Sequence, residues 1–275
     1  MKNANQKKIE PIAVADVVTL LGRVDEGRDG ETYKADLLIR GGVTHSGYVK
    51  LTEDPRQIIA ELAAAQVGRA LDLHIPCPYV AILDTADLRP EFKSRFVGRG
   101  RMVCFASRQA GKRHYTLERA PLNGEWKHSL NSQFDMPGTI SFDEFIANDD
   151  RHLGNIVYAP DRREFWLIDH GRALTGTYWN HWGLEDPEIS VRNLLADESA
   201  DKWDEAQRRN IIKSAESLVL RCSEIAMTDL DMDGHFAKID PSTDRQEIIN
   251  FLQGRLNHTV RLLCNRLGLG QLPLR

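Results

Sequence analysis

Three early stretches, at 17–21, 32–39 and 47–51, are rich in apolar and β-branched residues and are separated by glycine turns, the pattern of successive strands. In the third, Lys50 shares a face with Tyr48, while Val49 and Leu51 occupy the other. The period then changes. Ile58, Ile59, Leu62, Val67, Ala70 and Leu71 mark a helix behind Asp54-Pro55, a cap followed by proline at the first helical position, and the helix stops before His74-Ile75-Pro76. Residues 102–107 read as a further strand. Ser141 with Glu144 three positions on reads as a capping box that opens a short helix carrying Phe142, Phe145 and Ile146. Two β-rich runs, 155–159 and 164–169, flank Pro160-Asp161-Arg162-Arg163 and predict a hairpin. The remainder is helical by period: Ile211, Ala215, Leu218, Cys222 and Ile225, then Ile249, Leu252, Leu256, Val260, Leu263 and Leu267 behind a cap at Thr243 with Gln246. Residues 109–137 are polar and broken by Gly111, Pro121 and Gly124, as in a loop or a substrate-facing insertion.

A chain of 275 residues fits one two-lobed domain or two small ones. The formal charge of −4 is unevenly spread. Between Arg89 and Lys127, ten Lys or Arg stand against three Glu, a surplus of seven that leaves −11 elsewhere. That strip is either a solvated basic face or a surface for phosphates, an acidic protein or RNA. No apolar run has the length of a transmembrane helix, and Asp16 interrupts the apolar start too early for a signal-peptide core, so a cytoplasmic address is expected. Cys77, Cys104, Cys222 and Cys264 are scattered and lack zinc spacing, the pattern of reduced, mostly buried thiols.

Candidate chemistry concentrates at 141–171. A hairpin turning near Arg162 places Asn155 opposite Asp169 within one residue of register, with side chains starting roughly 5 Å apart. An amide oxygen and a carboxylate so placed suit Mg²⁺, which takes hard oxygen ligands and usually only one or two carboxylates besides substrate phosphates. Asp150 precedes Asn155 by five residues, the spacing of base and metal ligand in a kinase catalytic loop, and Asp169 stands where a second magnesium carboxylate is kept. His152 is a second proton-handling candidate, or a brace for the loop. Upstream, Glu61 has mostly apolar helical neighbours and needs a partner, and Lys50 supplies one. A strand lysine paired with a helix glutamate and with nucleotide phosphates is the kinase arrangement. Gly27 and Gly30, in the turn after the first strand, could bring backbone N–H groups to a phosphate, although Asp25, Glu26 and Asp29 beside them oppose it.

The run Phe145-Ile146-Ala147-Asn148-Asp149-Asp150-Arg151-His152-Leu153-Gly154-Asn155, with Leu167-Ile168-Asp169-His170-Gly171, resembles the HipA-like kinases. Gly47-Tyr48-Val49-Lys50-Leu51, Glu61 and the exit at Leu71-Asp72-Leu73-His74-Ile75-Pro76 extend the resemblance, and Asp-Arg-His-x-x-Asn is also similar to phosphatidylinositol kinases. The resemblance implies an α+β, two-lobed protein-kinase-like fold. A small antiparallel sheet lobe, 1–107, would bind nucleotide, and a mainly helical catalytic lobe would span 108–275. It implies Mg-ATP-dependent phosphoryl transfer to a protein serine or threonine, with Lys50 on phosphate, Glu61 as its partner, Asp150 as base, and Asn155 and Asp169 on magnesium. Gly27 and Gly30 correspond loosely to the nucleotide loop. A toxin-antitoxin setting, with an antitoxin or regulatory protein as partner, comes with the same resemblance. A lipid or small-molecule acceptor is the nearest alternative, and a nucleotide-binding pseudokinase is the alternative of another class. His170 stands where typical protein kinases have Phe. Residues 102–107 would lead into an interlobe hinge, and Thr175 or Thr177 lies at the activation-segment position.

Overall fold

The computed structural model describes residues 6–24, 31–87, 100–119, 130, 132–176, 179 and 184–270. Five strands, β1 (Ala13–Val24), β2 (Glu31–Ile39), β3 (Val43–Leu51), β4 (Pro78–Asp84) and β5 (Arg101–Arg108), close into a barrel in the order β1-β2-β3-β5-β4. Closure corrects the expectation of an antiparallel sheet: β1 runs parallel to β4, from Ala13 opposite Tyr79 to Asp16 opposite Ile82, and only the other pairings are antiparallel. Two register shifts in β1, at Val17/Thr19 and Leu20/Gly22, bend the strand around, as bulges do. Inside, the small side chains of Ala15, Ala35, Ala81 and Ala106 leave room for Leu37, Val49, Leu83 and Met102. Gly47 permits the closest approach, because a Cβ there would lie 2.4 Å from the Ser107 carbonyl oxygen on β5.

Helix α1 (Pro55–Ala70) begins where expected. The Asp54 carboxylate accepts from Arg56 N, a cap worth about 1 kcal/mol, and Pro55 holds the first helical position. Nearly all of its residues are buried, since the helix packs on β4 and β5 on one side and on helical elements on the other. Such a helix is apolar and alanine-rich all round, and it carries Glu61 in its interior.

A second sheet has the order β6 (Tyr115–Thr116), β7 (Ile156–Ala159), β8 (Glu164–Leu167). Around it lie α2 (Met136–Phe145), α3 (Leu194–Ser199), α4 (Glu205–Ser223), α5 (His235–Ile239) and α6 (Arg245–Arg266). The architecture is mixed α+β. The apolar periods of α4 and α6 face one large core, where Ile211, Ala215, Leu218, Ile249, Leu252 and Leu263 are buried.

Two caps differ from expectation. Ser141 lies inside α2 and not at its start; its buried hydroxyl donates back to the Pro137 carbonyl at 2.7 Å, and Asp135 caps the helix by accepting from Gly138 N. Pro137 in the first turn explains the earlier start, since proline is tolerated there and nowhere deeper. Likewise Asp244, and not Thr243, caps α6 by accepting from Gln246 N at 2.8 Å. In the pair Thr243-Asp244 both residues are competent caps, and sequence spacing alone does not choose between them. Three cysteines, Cys104, Cys222 and Cys264, are buried as expected, while Cys77 is half-buried.

Candidate active site

The hairpin forms in the expected register. Ile156 pairs with Leu167 and Ala159 with Glu164, so Asn155 faces Ile168 and Asp169 lies one residue beyond. Ile168 N donates to the Asn155 carbonyl at 3.1 Å, which closes the open end of the hairpin. The chain then turns sharply, with Asp169 at φ 56, in the left-handed region that L-residues avoid. Lys50, on β3, reaches this turn: its Nζ is 2.7 Å from Asp169 Oδ1 and 3.3 Å from Glu61 Oε1. Glu61 also accepts from His170 N at 2.8 Å through its other oxygen. A side chain at Gly171 would place its Cβ 3.1 Å from Lys50 Nζ, so the bare backbone there leaves room for the ammonium.

These contacts set the charges. Burial opposes ionisation of all three groups, but the two carboxylates outweigh it at Lys50 and hold the ammonium charged above its usual range. Burial would raise Asp169 too, yet Lys50's charge and hydrogen bond hold it at about 2. Glu61 goes the other way, to about 7, because burial dominates the pull of Lys50. His170 is kept neutral by burial, and its Nε2 has no hydrogen-bond partner.

The loop before the hairpin is held from within. After α2 the chain turns at Ala147 (φ 53), and Asn148 N closes back on the Asp143 carbonyl at 2.9 Å. Asn155 Nδ2 donates to the Asp150 carbonyl at 2.8 Å, which leaves the amide oxygen on the opposite side of that planar group. His152 Nδ1 accepts from Gly154 N at 3.0 Å and so caps the short turn 153–155. Its Nε2 lies 4.0 Å from Asp150 Oδ2. Burial raises the Asp150 carboxyl above its ordinary value, with His152 opposing and Asp169 adding to the shift.

A family model described as HipA-like kinase matches residues 42–214, well over half of the chain. The chain belongs to the HipA-like kinase family. The matched span contains Lys50, Glu61, Asp150, His152, Asn155 and Asp169, and starts after Gly27 and Gly30. Among solved structures, the chain is similar to a Helicobacter pylori proinflammatory kinase, CtkA, at 13% identity over 96% of this chain and 99% of that one, with a TM-score of 0.49. No curated protein matches.

In this HipA-like kinase, Lys50, Glu61 and Asp169 meet directly, and Asp150, His152 and Asn155 lie together on one loop. Gly27 and Gly30 lie outside the described residues, as do Thr177 and Arg89, Lys93, Arg95, Arg99 and Lys127 of the basic strip. Sequence reasoning passed over Arg151 and Asp143. Both are fully buried, and the guanidinium grips the carboxylate through Nε at 3.1 Å while Nη1 reaches the Asn155 and Ile168 carbonyls. It also passed over Arg172, which forks onto Asp149 at 2.7 and 2.9 Å, and His114, which shares a 2.6 Å hydrogen bond with Tyr48 two residues before Lys50. No spacing rule marks these residues.

Among the described residues no three His, Cys, Asp or Glu side chains gather as a metal cluster. The donor set that is present, one amide oxygen and one carboxylate held ionised, fits magnesium, which completes its shell with water and substrate phosphates.

Proposed function

We propose that this chain catalyses phosphoryl transfer from ATP to a hydroxyl, in a magnesium-dependent reaction whose acceptor is a protein serine or threonine. The observation that carries the reading is the meeting of Lys50, Glu61 and Asp169 across 119 residues of chain, beside a loop that presents Asp150 and Asn155. The barrel with α1 would form a nucleotide-binding lobe, residues 1–107, and residues 108–275 the catalytic lobe, with ATP between them. Lys50 would exchange its bond to Asp169 for phosphate oxygens, and Glu61 would keep the ammonium in place. Asn155 and Asp169 would hold magnesium, which when bound neutralises charge on the phosphates. Asp150 would orient the acceptor hydroxyl and take its proton, a step that needs a carboxylate within reach and no large pKa shift. His152, tied to Gly154 N, would hold the loop in shape. Gly27 and Gly30 would border the phosphates, and an antitoxin or regulatory protein would be the partner that restrains activity.

The test is incubation of the purified chain with labelled ATP and Mg²⁺, with and without cell lysate. Label on protein that withstands acid and is lost with Asp169→Ala supports the reading. Label in the lipid fraction instead would move the acceptor to the alternative class. Calorimetry showing ATP bound equally with and without magnesium would rule out the metal assignment.

A further inference from the structure

Asp169 is held in a conformation that costs a non-glycine residue roughly 1–3 kcal/mol and persists only where its surroundings enforce it. The peptide groups on both sides of it are fastened. Before it, the Ile168 carbonyl accepts from Arg151 Nη1 at 2.5 Å; after it, His170 N donates to Glu61 at 2.8 Å. The same Arg151 Nη1 donates to the Asn155 carbonyl at 3.0 Å. Arg151 Nε and Nη2 meanwhile lie 3.1–3.3 Å from the Asp143 carboxylate on α2, which also accepts from Asn148 Nδ2 at 2.8 Å. One planar guanidinium therefore ties a helix to the backbone of Asn155 and to the residue preceding Asp169. Neither Arg151 nor Asp143 reaches the surface, so neither meets nucleotide or acceptor.

We infer that Arg151, anchored on Asp143, is a positioning residue that sets the spacing between Asn155 and Asp169, with Glu61 holding the far side of the Asp169 peptide. The inference rests on the reading of Asn155 and Asp169 as the magnesium pair. A guanidinium suits the task because its fixed fork serves three acceptors in one plane, whereas an ammonium is a point charge that satisfies Asp143 and cannot span both carbonyls. The role differs from plain structural support in what it controls. A buried ion pair contributes little net stability compared with apolar residues of similar size, so its removal as a pair should leave the fold and disturb the spacing.

The test compares the wild-type chain with Arg151→Lys and with the double variant Arg151→Met/Asp143→Leu. ATP affinity is measured by calorimetry with Mg²⁺ and with chelator, and amide exchange is followed over residues 168–170. Both variants should lose about tenfold or more of the magnesium-dependent gain in affinity, the usual cost of losing an outer partner of a metal ligand. Affinity in chelator should stay near wild type, and Ile168 and His170 should exchange faster. A folded variant whose magnesium-dependent gain is within about twofold of wild type would overturn the inference. If the double variant does not fold, Arg151→Lys decides alone, because it keeps a positive charge on Asp143. If the wild type shows no magnesium-dependent gain, the magnesium reading falls and exchange decides the positioning role: unchanged protection at Ile168 and His170 in Arg151→Lys would sink it.

Discussion

Two adjacent carboxylates on α2, both fully buried, serve opposite sides of the molecule. Asp143 faces the candidate site and holds Arg151, whose remaining hydrogen bonds all go to the backbone around Asn155 and Asp169. Glu144 faces away. Its Oε2 accepts from Arg266 Nε at 3.1 Å and Asn193 Nδ2 at 3.3 Å, and its Oε1 from Arg255 Nη2 at 3.4 Å. Arg255 extends that network to the carbonyls of Glu144, Pro187 and Ile189, and Arg266 extends it to Asp197. The chemistry of the two clasps is the same, a buried carboxylate paired with guanidinium, one on Asp143 and two on Glu144. What each arginine does with its spare donors is different: one braces a reactive loop, the other staples the last helix to the chain between the site and α3. Burial of charge is thus not by itself a mark of function, and the carbonyls at the far end of each fork distinguish the two.

The comparison breaks most visibly on the Glu144 side. Arg255→Met should cost about 3–5 kcal/mol in urea unfolding, because Glu144 loses a buried partner and the Pro187 and Ile189 carbonyls lose their guanidinium donor. ATP affinity of the folded fraction should not change. A loss of affinity as large as the loss of stability would show that the two sides of α2 are not separable.

On the Asp143 side the expected effects fall on turnover. Asp150→Asn should lower it by about 10²–10⁴-fold, the usual contribution of a positioned base, with ATP affinity and melting temperature nearly unchanged. His152→Ala should cost less, since that imidazole accepts from Gly154 N and braces the loop. Turnover that survives Asp150→Asn and vanishes in His152→Ala would reverse the assignment of the proton acceptor.

Glu61 gives a pH test of the same side. Its carboxyl is raised from an ordinary 4.5 to about 7 by burial, so between those values the folded chain keeps a proton that the unfolded chain has released. The Glu61 contribution to stability should therefore fall as pH rises through that window, on the order of 1 kcal/mol per pH unit, while His170, held neutral by burial, contributes in the opposite sense below its ordinary 6.5. Asp169, depressed to about 2, contributes stability that is lost only as pH falls below its ordinary 3.8, outside the window. Glu61→Gln should remove the falling contribution, so that the slope of stability against pH between about 5 and 7 becomes more positive than in the wild type, and an unaltered slope in urea unfolding would show that Glu61 does not hold the proton.

The smallest effect checks the corrected helix start. Asp244→Ala should lower stability by about 1 kcal/mol, as loss of a capping carboxylate does, and Thr243→Ala by much less. Equal effects in thermal unfolding would return the cap to the threonine.

What the sequence determined by itself is local. Asp54-Pro55 started α1 because a cap needs only its own first turn, and the turn at 160–163 set the register that puts Asn155 beside Asp169. Lys50 and Glu61 were legible as partners because a lysine on a strand face and a carboxylate inside an apolar helix each lack a local solution. The tertiary structure alone decided the rest. The parallel pairing of β1 with β4 closes the barrel between positions 66 residues apart, Ala13 with Tyr79 to Asp16 with Ile82, and no residue of either strand signals it. It also selected, among many arginines and aspartates of similar spacing, Arg151 and Asp143 for complete burial. Charged residues are read as surface because desolvation is costly, and that cost is met only when the folded chain brings a carboxylate and two carbonyls to one guanidinium at once.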